Sequence, residues 1–297
     1  LGGTNIAVGV IDENYKIIGR GKVKTNAPRP AEEIFDSIKE AADLAIADAG
    51  ISYDDIASVG IGTPGSVNKD TGAIEFSNNL KFHNVPAKKM LEERLNKPVY
   101  LENDANAAAL GEAVAGCGNG VKDFVAVTLG TGVGGGIVVE GKLLCGSQGA
   151  GGEIGHMTIN RDETLPCNCG KYGCVEQYCS ATGIVRLAGL HGMENVTCKD
   201  IFDAGNAGDP VALEVLDEYY EYLGEFLGSL CSVVDPEIVV LGGGVSKAGQ
   251  PLLDGAERYF HKYVFHAASD VKFALASLGN DAGAYGAFKL ALDAFGN

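Results

Sequence analysis

In IAVGVIDENYKIIGRGKVKT, residues 6–25, apolar side chains recur at every second position and are interrupted at DENY. That period predicts a hairpin and a further strand. The next segment, PAEEIFDSIKEAADLAIADAG, changes to a helical period, with Pro30 at its start and Gly50 just past its end, the usual placement of these two residues around a helix. IASVGIG and PVYLEN read as strands and AKKMLEERLN as a helix between them. PVYLEN runs straight into the alanine-rich helix DANAAALGEAVAG. DFVAVTLGTGVGGGIVVEGKLL reads as two apolar strands joined by glycines, and PVALEVLDEYYEYLGEFLGSLCSVV as a long helix before the buried strand EIVVLGGG. This alternation predicts an α/β chain with two sheets. LGGTNIAVGVID and LGTGVGGGIVVEG each place a glycine-rich turn before an apolar strand, an echo that predicts a duplicated lobe. The chain opens on LGGTN, which reads as the end of a strand entering a turn, so a preceding strand is expected to be missing.

Composition narrows the function classes. With 297 residues, 46% of them apolar, there is material for one large domain or two ordinary ones. Neither a run of eighteen apolar residues nor a basic-then-apolar leader is visible, so no membrane span or secretion signal is expected, and a cytoplasmic enzyme is the default. A formal charge of −16 disfavours a nucleic-acid partner, which calls for clustered Lys and Arg. The expected partners are small molecules.

Three stretches carry candidate chemistry. Gly130, Gly132 and Gly135 match the G-x-G-x-x-G spacing of dinucleotide folds, but a strand and not a helix follows, so that motif is rejected. What remains is a turn rich in unhindered N–H groups, which reads either as a phosphate cradle or as a tight hairpin. In LENDANAAALGE, Asp104 sits where a strand ends and a helix begins. There it is either the helix cap or a carboxylate free to act as a base; Asn103 beside it favours the second. In CNCGKYGCVE, Cys167, Cys169 and Cys174 crowd into eight positions. That spacing suits zinc better than disulfides, with three scattered buried cysteines as the remaining alternative. Cys117, Cys145, Cys198 and Cys231 read as small core residues, and Cys179 as surplus to the cluster.

Taken in order, LGGTN, GIGTPGSV, LENDANAAALGE, VTLGTGVGGGIV, GAGGEIGHM, CNCGKYGCVE and VVLGGG resemble the ROK sugar kinases, most of all the bacterial glucokinases. The resemblance covers nearly the whole chain. It implies an α/β fold similar to actin and hexokinase (ribonuclease H-like), with two lobes and a cleft between. The smaller lobe would comprise 1–105 plus a C-terminal helix at 284–297, and the larger 106–283 with a zinc loop at 156–176. By the same resemblance His156 completes a structural Zn²⁺ site with the three cysteines, and Asp104 is the catalytic base. The sugar contacts would be Gly65, Asn79, Asn103, Asp104, Glu153, His156 and Glu176. The phosphate turns of ATP would be Gly2, Gly3, Thr4 and Asn5, then Thr131 and Gly132, with Gly242, Gly243 and Gly244 beside the adenosine. Mg²⁺ is implied by the chemistry, and a homodimer by the relatives.

The expected reaction is ATP-dependent phosphorylation of glucose to glucose 6-phosphate. Alternatives are a kinase for N-acetylmannosamine, N-acetylglucosamine or fructose, or a non-catalytic sugar-sensing regulator of the same family. Two positions depart from the family pattern. The acid usual two residues before the first glycine falls outside the chain, and Asn78 stands where relatives carry proline before the sugar-contacting asparagine.

Overall fold

A computed structural model describes residues 1–147 and 149–296. The chain divides into two compact units: Leu1–Gly120 with Leu143–Gly151 and Asn280–Asn297, and Val121–Lys142 with Gly152–Gly279.

The first unit opens with the expected hairpin, β1 (Asn5–Ile11) antiparallel to β2 (Ile17–Lys24). Helix α1 (Ala31–Ala49) follows. Pro30 precedes it, and Gly50 ends it in the left-handed conformation at φ 67°. Its buried stripe, Ile34, Phe35, Ile38, Ala41 and Ala45, packs on β2. Gly21 allows that approach, because a Cβ there would stand 1.9 Å from the Ala41 carbonyl oxygen. Strand β3 (Val59–Thr63) pairs in parallel with β7 (Val99–Asn103), and α2 (Ala87–Leu95) lies between them in sequence. Between them also fall β4 (Ser66–Val67), β5 (Ile74–Ser77) and β6 (Phe82–Val85), an antiparallel meander too short and polar to stand out in the sequence.

Helix α3 (Asp104–Ala115) packs on α9 (Ala282–Phe295). Their backbones nearly touch: a Cβ on Gly111 would lie 1.9 Å from the Ala282 carbonyl oxygen, and one on Gly286 1.6 Å from that of Ala107. This contact places α3 with the first unit, whereas the sequence reading ended the smaller lobe at 105 and began its C-terminal helix at 284. Asn297, at the end of that expected helix, lies outside the described residues. A cavity of about 650 Å³ lies between β1 and β3, under α1 and α9. Its walls include the apolar Ile6, Val8, Val10, Ile61 and Phe288 and also Gly2, Asn5 and Asp104.

The second unit is built on a sheet in the order β10-β9-β8-β11-β12. Its strands are β8 (Phe124–Leu129), β9 (Val133–Val139), β11 (Ile238–Gly242) and β12 (Lys272–Leu275), with the two-residue β10 (Lys142–Leu143) where the chain leaves the unit. β8 and β9 are antiparallel, and β11 runs parallel to both β8 and β12. The fully buried β11 is flanked on both edges, as its unbroken apolar run predicts. α4 (Glu176–Cys179), α5 (Ala181–Leu190), α6 (Cys198–Asn206), the long α7 (Pro210–Val234) and α8 (Gln250–Tyr263) share one apolar core with the sheet. Tyr219, Leu223, Phe226 and Leu227 of α7 meet Val239 and Leu241 of β11 and Phe260 of α8 in one core. No helix among the described residues is long and apolar enough to cross a membrane.

Candidate active site

The first unit holds one set of candidate residues. At the β7–α3 junction Asn103, not Asp104, is the cap: its side-chain oxygen accepts from the N–H groups of Ala105 at 2.9 Å and Asn106 at 3.3 Å. The amide end of Asn103 donates to the Gly65 carbonyl at 3.0 Å. Gly65 has φ 103°, and a Cβ there would stand 2.0 Å from the Phe76 carbonyl oxygen, so only glycine fits.

With capping done by its neighbour, the Asp104 carboxylate accepts from the Ala105 N–H at 3.0 Å and from its own N–H. Solvent reaches it. The protein packed around it still disfavours the charged form and raises its pKa above the ordinary carboxylate value; the N–H groups of Ala105 and of Asp104 itself oppose that shift. A raised carboxylate pKa makes a better proton acceptor near neutrality.

The predicted turn at Gly2–Asn5 is closed by a hydrogen bond from the Gly2 N–H to the Asn5 carbonyl at 2.9 Å and held by the Thr25 hydroxyl on the Gly2 carbonyl. Gly3 faces Asn79, whose Cβ lies 3.6 Å from where its own would stand. Asn5 is not free to reach solvent with its side-chain oxygen, which is buried without a partner.

The second unit holds the other set. The thiols of Cys167, Cys169 and Cys174 and a ring nitrogen of His156 all lie within 4.8 Å of one another. Cys169 and Cys174 sulfurs are 3.6 Å apart, and the Cys167 sulfur is 3.9 Å from His156 Nδ1. Ligands at zinc distances define tetrahedron edges of about 3.6–3.8 Å, and a disulfide would need about 2 Å. The donor set therefore fits tetrahedral Zn²⁺ and excludes a disulfide here.

The loop geometry is forced by Gly173, at φ 69°, where a Cβ would stand 1.6 Å from the Asn160 carbonyl oxygen. Burial first, and then the neighbouring Cys169 and Cys167, push the Cys174 thiol up to about 12, a penalty that a bound cation reverses by stabilising thiolate. With Nδ1 toward sulfur, His156 Nε2 faces the Glu153 carboxylate at 4.0 Å.

Glu176 connects the cysteine loop to the glycine turn. It opens α4 two residues after Cys174, and its Oε2 accepts from the Val133 N–H at 3.1 Å. The turn itself closes through Gly130 N–H to the Gly132 carbonyl, and α5 is tied to it by the Ala181 N–H on the Gly130 carbonyl and the Thr182 hydroxyl on Thr131. Strand β9 follows the turn, as expected when the dinucleotide motif is rejected. Gly242–Gly244 end β11. Gly243, at φ 85°, lies against Leu129, with 2.5 Å left between a Cβ and the Leu129 carbonyl oxygen. The two glycine turns of this unit are thus neighbours.

Cys145, expected as a small core residue, is half-buried and donates to the buried Glu102, while Cys117 donates to Glu112. Glu102 went unnoticed in the sequence, although an acid in the apolar strand PVYLEN is a recognisable signal.

A profile of the ROK family matches residues 1–294. The glucokinase of Halalkalibacterium halodurans is 40% identical, with 96% of this chain and 91% of that protein covered. A crystal structure of a ROK family glucokinase from Streptomyces griseus, in complex with glucose and AMPPNP, is 37% identical with a TM-score of 0.81, covering 99% of this chain and 97% of that one. The ROK hexokinase from Thermus thermophilus is 34% identical with a TM-score of 0.86, covering 100% and 98%. The expected α/β fold of actin and hexokinase type is borne out by these structures. With the motifs, the fold and nearly the full length in agreement, the chain belongs to the ROK family.

Proposed function

We propose that the protein is an ATP-dependent glucokinase, transferring the γ-phosphoryl group of ATP to the 6-hydroxyl of glucose. The observation that carries this reading is the division of labour at the β7–α3 junction: Asn103 caps the helix, and Asp104 is left with a raised pKa and free acceptor capacity. A helix already capped by an amide needs no carboxylate beside it, whereas phosphoryl transfer needs a carboxylate to take the hydroxyl proton.

Asp104 accepts that proton as the sugar oxygen bonds to the γ-phosphorus and the bond to the β-phosphate oxygen breaks, releasing ADP. Asn103, Gly65, Asn79, Glu153, His156 and Glu176 orient the sugar; carboxylates suit hydroxyl recognition because ionised acceptors make the stronger hydrogen bonds. Gly3, Thr4, Thr131 and Gly132 offer backbone N–H groups to the phosphates, Gly2 and Asn5 close the first turn around them, and Gly242–Gly244 flank the adenosine. Mg²⁺, when bound with ATP, neutralises phosphate charge. His156, Cys167, Cys169 and Cys174 would hold Zn²⁺, which with four protein ligands has no open position and serves to fix the loop bearing His156 and Glu176.

The test is an ADP-release assay with MgATP against glucose, mannose, fructose, N-acetylglucosamine and N-acetylmannosamine. Turnover strongest on glucose is expected. Preference for another hexose would replace the substrate and keep the chemistry, and silence across the panel with zinc bound would overturn the kinase reading.

A further inference from the structure

Glu102 lies two positions before Asp104 and is 2% exposed, yet both of its carboxylate oxygens are engaged. Oε2 forms an ion pair with Lys69, from the segment between β4 and β5, and accepts from the Cys145 thiol at 3.6 Å. Oε1 accepts from the Asn103 N–H at 2.8 Å and from the Asn106 amide at 3.0 Å. A buried charge persists when it is both paired and hydrogen-bonded, and these four donors meet that condition.

Such a pair adds little net stability over apolar residues of the same volume. What it adds here is direction: both Oε1 partners flank Asp104, one just before it and one two residues after. The Asn103 cap holds the start of α3 through its first N–H groups, and Glu102 holds the same turn through the backbone and side chain on either side of Asp104.

We propose that Glu102 is a positioning residue for Asp104, with Lys69 as its charge partner. The proposal rests on the reading of Asp104 as the base. Lys69 and Cys145 face Glu102 from outside the junction, Asn103 and Asn106 from within it, and Asp104 itself is faced by the N–H groups of Ala105 and of its own backbone. Replacing Glu102 by Gln would turn an –NH₂ group toward donors. Replacing Lys69 by Met would leave a buried anion uncompensated beside the base.

The experiment compares the wild type with Asp104→Asn, Glu102→Gln, Glu102→Asp and Lys69→Met, measuring kcat and KM separately between about pH 5 and 9. Alongside, ¹³C NMR follows the Asp104 carboxyl through its titration in all but the first variant. Glu102→Gln is expected to lower kcat by about tenfold to a hundredfold, the penalty of a misplaced reacting group, with KM for MgATP within about twofold. Glu102→Asp should recover part of that loss, and Lys69→Met should move the Asp104 titration, and the acid limb of kcat, to higher pH.

Wild-type kcat and an unmoved Asp104 titration in Glu102→Gln and Lys69→Met, with Asp104→Asn dead, would overturn the positioning role alone. Turnover by Asp104→Asn at the wild-type rate would overturn the base reading and the proposal with it. If the wild type turned over no sugar, the titrations would still decide whether Glu102 and Lys69 govern Asp104. Lys69 is one-third exposed, so its variant keeps the test open should a Glu102 variant fail to fold.

Discussion

Gly132 and Glu176 are in contact through the absence of a side chain: a Cβ on Gly132 would stand 2.2 Å from the Glu176 Oε2. The same oxygen accepts from the next residue's N–H, so the acid that follows the cysteine loop is locked onto the glycine turn. A candidate sugar contact and a candidate phosphate contact thereby share one geometry within the second unit.

Gly132→Ala should therefore impair both substrates. The methyl group displaces the Glu176 carboxylate and breaks its bond to the Val133 N–H, and kcat/KM for glucose and for MgATP are each expected to fall by about tenfold or more. Steady-state kinetics on the two substrates checks this, and a fall confined to one of them would contradict the shared geometry.

Asp104→Asn should lose about 10²–10⁴ in kcat while retaining sugar binding, read by calorimetric titration with glucose. The raised pKa adds a second expectation. Between its unfolded and its folded pKa the native protein binds more protons at Asp104 than the unfolded chain does, so stability falls as pH rises through that window and stays lower above it. The neutral Asn variant should consequently melt higher than the wild type at pH 7, and the difference should shrink under acid conditions.

The purified protein should carry one zinc per chain by elemental analysis. Cys174→Ser removes a buried ligand and should abolish stoichiometric zinc. KM for the sugar should rise about tenfold or more, with a smaller effect on KM for MgATP, because His156 and Glu176 hang from this loop; changes one shell further out already cost about that much in metal affinity or activity.

Glu163, inside the same loop, accepts from the Tyr178 hydroxyl at 2.5 Å and the Leu165 N–H at 2.9 Å, and pairs with Arg186 at 2.6 Å. These contacts hold its carboxyl at about 2. Its stabilisation is complete above the ordinary glutamate pKa and is lost as pH falls toward 2. Glu163→Gln should destabilise by about 2 kcal/mol at pH 7, and the gap from wild type should be visibly smaller at pH 3 in denaturant unfolding.

Much of this was legible from local pattern. The hairpin, the strand-to-helix step at Asn103–Asp104, the glycine turn running into a strand and the crowding of Cys167, Cys169 and Cys174 are each contained within a dozen residues, where period and spacing speak directly. What escaped depends on contacts distant in sequence. Asn103 as cap could not be told from Asp104, since both are good cap residues at a junction defined only to within a residue or two. The placement of α3 is set by Gly111 and Gly286, which approach each other's helix across some 170 positions. Glu102 is quoted in the motif LENDAN, yet its partners Lys69 and Cys145 come from two other segments, one on each side of it in sequence. The meander β4–β6 is short and mixed in polarity, so no period marks it.

The close crossing of α3 and α9 has a consequence for how the chain is made. The helix that bears Asp104 leaves the ribosome before the second unit, but the Gly286 face against which it seats is translated only after every residue of the second unit. The second unit can complete its core before α9 is made, whereas the first must hold α3 without its partner until α9 emerges. Assembly of the Asp104 junction thus waits until α9 has been made, and a nascent chain that stops short of α9 has Asp104 without the surface that seats its helix.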